Sequence, residues 1–192
     1  MPLAPTFAVH YAGKSTVVQA AAARYESWIR QRRGGATPAA AAGATLATLV
    51  VTVASPADNL TGWTANESYS LAVSPGGGAT LDAPTPFGAL RGLETFYQLL
   101  NNASTPTLPH STIVVDDAPA FVHRSLMIDT GRRLYPLPFV RSIIDAMAMA
   151  KLNVLHLHLS DMGRFAWESK VFPELNVGRV QLRNCSVSMT RV

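Results

Sequence analysis

RSLMIDTGRRLYPLPFVRSIIDAMAMAKLNVLHLHLSD, residues 124–161, is the stretch from which the fold can be argued. Arg124 to Asp129 is a short, apolar-rich run that reads as a buried strand, and Asn153 to Leu159 reads as a second. Between them, Pro138 to Leu152 reads as a helix. Strand, helix, strand is a βαβ unit, whose strands run parallel with a right-handed crossover.

In a parallel α/β structure the side chains at the carboxyl ends of the strands line the site. That rule selects two clusters. One is Asp129-Thr130-Gly131-Arg132-Arg133, where an arginine offers a planar fork of donors suited to sugar hydroxyls. The alternative for Arg132 is a surface arginine paired with Asp129. The other cluster is His156-Leu157-His158-Leu159-Ser160-Asp161. His156 and His158 are two apart on a strand, so their rings share one face. Three readings stay open: core histidines bonded to their neighbours, ligands of a metal, or part of a polar sugar site. A metal needs further His or carboxylate ligands, and His10, His110 and His123 stand in other contexts.

Upstream the pattern changes. Val18, Ala21, Ala22, Tyr25, Trp28 and Ile29 recur at helical steps from Thr16 to Arg33. Gly34 to Gly43 is an Ala-, Gly- and Pro-rich loop or linker. Leu46 to Val53 and the alternating Tyr69, Leu71 and Val73 predict strands, and Ala79 to Leu81 a further short one after the turn at residues 74–78. Phe87 to Leu100, opened by Pro86, is a second amphipathic helix; Gly88 and Gly92 are expected to let it pack close to a sheet. Ile113 to Val115 is a last strand, with Asp116-Asp117 and Pro119 marking a boundary. Helices and strands in this order describe a small α+β domain over 1–117.

Composition excludes several classes. Of 192 residues, 48% are hydrophobic and 15% charged, as in a globular protein. The net charge of +4 is spread out except for Arg30, Arg32 and Arg33, a run expected to complement the dipole at its own helix end. No basic stripe with interleaved aromatics suggests nucleic acid. Cys185 is alone, so neither an internal disulfide nor a thiolate zinc site is expected. No run reaches the roughly 20 apolar residues of a membrane span, and Met1 to His10 does not resemble a signal peptide. Sequons occur at Asn59, Asn66, Asn102 and Asn184.

Four segments, taken together and in order, resemble glycoside hydrolase family 20, the β-N-acetylhexosaminidases. FGALRGLETF at 87–96 resembles the helix signature of the family's N-terminal domain. HRSLMIDTGR at 123–132 is similar to H-R-G-L-x-x-D-T-S-R, KLNVLHLHL at 151–159 to K-x-N-V-L-H-W-H, and FPEL at 172–175 matches F-P-E-L. The resemblance implies an α+β domain of zincin-like shape without zinc, followed by the beginning of an incomplete (β/α)8 TIM barrel. The implied domains are 1–117, 118–176 as the first βαβ portion of the barrel, and a divergent tail over 177–192.

By the same resemblance, Arg132 is the arginine that holds the hydroxyls of the terminal sugar. Asp161 matches the first carboxylate of a D-D-Q loop and His158 the second histidine of H-W-H, both substrate-binding. No cofactor and no metal are implied. The implied reaction is retaining hydrolysis of terminal N-acetylhexosamine from glycans, in which the substrate's acetamido oxygen attacks the anomeric carbon. An Asp-Glu pair orients that acetamido group and protonates the leaving oxygen. No Asp-Glu dipeptide occurs in the chain, and Met162 and Gly163 replace the rest of the D-D-Q loop. Truncation of a longer hexosaminidase, an inactive fragment and poor solubility beyond Asp117 are therefore expected. The other class of reading is a non-catalytic interaction module, or a short isoform that forms a homo- or heterodimer with a hexosaminidase subunit. A lysosomal, vacuolar or secreted location follows from the resemblance alone.

Overall fold

The computed structural model describes residues 1–32, 45–57, 65–76, 78–100, 106–109, 112–133, 135–161, 164–165 and 168–173. The loop 34–43, three of the sequons, His110, Cys185 and the tail from 177 lie outside these residues. The chain divides into two compact units, Met1–Val122 and His123–Val192.

The first unit contains β1 (Leu3–His10), α1 (Thr16–Arg32), β2 (Leu46–Val53), β3 (Tyr69–Ser74), β4 (Gly78–Ala83), α2 (Pro86–Leu99) and β5 (Ile113–Asp117). Its sheet has the order β1-β2-β4-β3-β5. β1, β2 and β4 are parallel neighbours, whereas β3 runs antiparallel to both β4 and β5. β1 is a strand that the sequence pattern did not suggest. It carries Pro5, which has no amide proton to give to a ladder, and it sits at the sheet edge where that loss is tolerated. β4 is longer than expected at both ends. β5 likewise runs on through Asp116 and Asp117, which pair with Ser70 and Tyr69 instead of standing in a linker.

One face of this sheet is covered. Leu49, Val51, Leu71, Val73, Ala79 and Leu81 alternate along three strands and are buried with Val18, Tyr25 and Ile29 of α1 and Leu93 and Phe96 of α2. Period two on the strands and period 3.6 on the helices meet in one core, which is why both patterns were readable. α2 approaches closely because two of its positions lack a side chain. A methyl group at Gly88 would collide with the Ser68 carbonyl oxygen, and one at Gly92 with the Leu81 side chain. Thr85 starts the helix, its hydroxyl accepting from the Gly88 amide at 3.4 Å, with Pro86 in the first turn.

The arginine run behaves differently from the expectation. Arg30 pairs with Glu26 one turn back. Arg32 reaches across to the other helix, donating to the carbonyls of Tyr97 (3.5 Å) and Leu100 (3.4 Å), with its guanidinium 3.8 Å from the Tyr97 ring. It therefore satisfies orphan carbonyls at the end of α2 rather than of its own helix.

The second unit contains β6 (Ser125–Asp129), α3 (Leu137–Met149), β7 (Val154–His158) and the two-residue strands β8 (Ser160–Asp161) and β9 (Arg164–Phe165). β6 and β7 pair in parallel, with Asp129 opposite His158. α3 ends in a Schellman motif: the Leu152 amide donates to Met147 O at 2.8 Å and the Lys151 amide to Ala148 O at 3.0 Å. Lys151 itself has a φ of 56°, the left-handed conformation usual for glycine at this position. The return into β7 is stapled to the start of β6, because Asn153 Oδ1 accepts from the Arg124 amide and Arg124 Nε donates to Lys151 O.

The two parallel strands β6 and β7 were expected to be buried, and in the structure they are largely accessible. Of β6 only Ile128 is buried, and Leu126 and Met127 are 36% and 57% exposed. Parallel strands lose solvent only when both faces and both edges are covered. Among the described residues β6 and β7 have each other as sheet neighbours and no third strand.

Candidate functional site

The candidate site is the carboxyl end of the β6–β7 pair. Register places Met127 beside His156 and Asp129 beside His158, so these four side chains share one face of the two strands. Both histidines are exposed, which leaves aside the reading of them as core residues. Among the described residues, no three His, Cys, Asp or Glu side chains gather into a group able to hold a metal ion.

The loop that leaves β6 is bound to the end of β7 through one atom. The amides of Thr130 and Gly131 each donate to the His158 carbonyl at 3.0 Å, and the Thr130 hydroxyl donates to it at 3.2 Å. Asp129 then turns the chain: its Oδ1 accepts from the Arg132 amide at 3.0 Å, and its Oδ2 lies 3.7 Å from Arg132 Nε. The Arg132 side chain is 73% exposed, so the pair with Asp129 is a surface ion pair of small energetic value. Arg132 thus adopts the pairing with Asp129 that was its alternative reading, at the strand end that the barrel rule selects. Asp161 follows in β8, where it is opposite Arg164 in the register of the β8–β9 hairpin.

Two features were not anticipated from the sequence. The first is the bracket just described. An Asp followed three residues later by the amide it accepts from is a common local turn, and it is legible in Asp129-Thr130-Gly131-Arg132. The triple use of the His158 carbonyl is not, because it joins positions 28 residues apart. The second is an open depression of about 750 Å³ on the first unit, lined among others by Thr52, Ser70, Asp82, Pro84 and Asp116. It lies on the polar face of the five-stranded sheet, where Thr52, Asp82, Ser70 and Asp116 stand in one row across four strands.

The comparisons with known proteins divide along the same two units. The catalytic domain of glycosyl hydrolase family 20 matches residues 121–186, and a domain described as beta-acetyl hexosaminidase like matches residues 6–99. The chain belongs to glycoside hydrolase family 20. Its relatives in that family include the beta-hexosaminidase subunit beta of Homo sapiens, 43% identical over 128 residues, which are 66% of this chain and 22% of the human protein. The subunit beta of Felis catus is 37% identical over 181 residues, covering 88% of this chain and 34% of its own. Among solved structures, a Flavobacterium johnsoniae chitobiase aligns with a TM-score of 0.75 at 30% identity, over 91% of this chain and 27% of the chitobiase. The chain therefore spans between about a fifth and a third of the length of these family 20 relatives. The observed order, an α+β unit followed by a βαβ unit, is the order of the two matched domains.

Proposed function

We propose that the protein is part of a β-N-acetylhexosaminidase, an enzyme whose complete form removes terminal, non-reducing N-acetylhexosamine from glycans, that the 192 residues by themselves are inactive, and that residues 118–176 are the opening βαβ portion of its (β/α)8 barrel. The single observation that carries this reading is the bracket at the ends of β6 and β7, inside the segment matched by the family's catalytic domain. It puts Arg132 and His158 at the same end of two parallel strands, the end at which barrel enzymes hold their substrates.

In this reading Arg132 donates to the sugar hydroxyls through its guanidinium fork, and His158 and Asp161 complete the polar rim. Retaining hydrolysis proceeds by attack of the substrate's own acetamido oxygen on the anomeric carbon, with an acid protonating the leaving oxygen. The 192 residues contain no adjacent Asp-Glu pair, so that acid step requires residues which this chain does not hold. The family resemblance supports a lysosomal, vacuolar or secreted site of action. No helix among the described residues is long and apolar enough to cross a membrane.

The test is binding. Saturation-transfer NMR with N-acetylglucosamine is expected to detect contact with the 192-residue chain, to weaken strongly on Arg132→Ala, and to be much weaker with glucose. Equal transfer in the parent and the Arg132→Ala chain would remove the basis of the assignment.

One observation favours a second reading, a non-catalytic partner of a longer hexosaminidase chain. Met127, Phe139 and Met149 are 57%, 46% and 56% exposed, leaving apolar surface on the second unit for another chain to cover. Co-purification with a longer family 20 subunit, and no sugar binding by the chain alone, would select it.

A further inference from the structure

Resting on the reading that Arg132 grips the sugar, we propose that Asp129 and Thr130 are positioning residues, which make strand β7 set the place of the Arg132 guanidinium.

An arginine on an exposed loop loses much side-chain freedom when it takes hold of a ligand, and that loss is subtracted from its affinity. The structure reduces the loss in two steps. First, the Thr130 amide, the Gly131 amide and the Thr130 hydroxyl all donate to the carbonyl of His158. The loop that carries Arg132 is therefore tied to the strand that carries His158, and the two proposed sugar contacts are held by one rigid bracket. Second, both carboxylate oxygens of Asp129 serve Arg132, Oδ1 through its amide at 3.0 Å and Oδ2 near Nε at 3.7 Å. A turn needs only the first of these. The second acts on the side chain and biases where the fork points.

The two roles of Asp129 can be separated chemically. Asp129→Asn keeps an oxygen for the Arg132 amide and removes the charge facing Nε. Thr130→Val removes one donor to His158 O and keeps both amides, and Thr130→Ser returns the hydroxyl. The experiment measures N-acetylglucosamine affinity of the 192-residue chain and its variants by NMR titration, with amide hydrogen exchange at Thr130 and Gly131 in the same samples.

Both amides are expected to be protected in the parent. Asp129→Asn is expected to leave that protection in place and to weaken binding about 2- to 5-fold, the range of an exposed ion pair. Thr130→Val is expected to weaken binding about 2- to 10-fold, and Thr130→Ser to restore it. Unprotected Thr130 and Gly131 amides in the parent would overturn the proposal, including the case in which the loop or the whole unit does not fold. Tighter binding by Asp129→Asn would also overturn it, since Asp129 would then be a competitor for the guanidinium. If Arg132→Ala abolishes binding while Asp129→Asn and Thr130→Val leave it unchanged, positioning fails and the sugar-binding reading stands. If Arg132→Ala changes nothing, the sugar-binding reading itself fails.

Discussion

The Tyr25 phenol donates to the Glu94 carboxylate over 2.6 Å across the α1–α2 contact, where Tyr25 is 4% and Glu94 2% exposed. Glu94 also accepts from Gln98 at 2.8 Å, so a carboxylate at the centre of the domain is held by two donors from two helices. Burial, and then the bond to Glu94, push the Tyr25 phenol well above its ordinary value.

That shift has a sign. The folded state holds the phenol proton more tightly than the unfolded state, whose tyrosine titrates near pH 10. The stabilisation is therefore complete below about pH 10 and is progressively lost as pH rises above it. Urea unfolding of the first unit is expected to show a fall in stability above pH 10 that Tyr25→Phe flattens. The same variant should be about 1–3 kcal/mol less stable at pH 7, because Glu94 keeps Gln98 but loses the phenol. An unchanged alkaline slope in Tyr25→Phe would assign the loss to other groups.

Gly88 and Gly92 should differ when replaced by alanine. The methyl at residue 88 meets the Ser68 backbone carbonyl, which cannot move without disturbing the entry to β3. At residue 92 it meets the end of the Leu81 side chain, which can adjust at some cost although it is fully buried. Alanine gains about 1 kcal/mol of helix propensity at either site, against an overpacking penalty of about 1–3 kcal/mol. Thermal melts should show Gly88→Ala clearly destabilised and Gly92→Ala closer to neutral. The reverse order would contradict the packing described for α2.

Lys151 occupies the left-handed position that ends α3, at a cost of about 1 kcal/mol relative to glycine. Lys151→Gly is expected to slow amide exchange at Ala150 and Leu152, whose protons close the last turn, by about fivefold. Faster exchange would mean that contacts of the lysine side chain outweigh the backbone strain.

The second unit should govern self-association. Its exposed apolar residues include Met127, Phe139, Ile144 and Met149, and its two parallel strands have unpaired edges among the described residues. Sedimentation velocity is expected to show concentration-dependent association of the 192-residue chain and a monomer for residues 1–122. Equal behaviour of the two would place the sticky surface on the first unit.

Much of the architecture was legible because it is written locally. The 3.6-residue period of Val18, Ala21, Ala22, Tyr25 and Ile29 depends on neighbours within a turn or two, as does the opening of α2 at Pro86. The same holds for the alternation in β3, and for β6 and β7 as strands flanking one helix. The family motifs added candidates for the proposed sugar rim, which no periodicity could supply.

What the sequence determined by itself was thus the type and order of most elements and the candidates at the strand ends. The tertiary structure decided the rest. It placed β4 between β2 and β3, drew β1 into the edge despite Pro5, sent Arg32 to the end of the other helix, and bound the Arg132 loop to the His158 carbonyl. The physical reason is common to all four: each is a contact between residues far apart in the chain, and the free energy that selects it comes from hydrogen bonds and burial which no local window contains. The Tyr25–Glu94 bond, spanning 69 residues, is the same principle at the centre of the core.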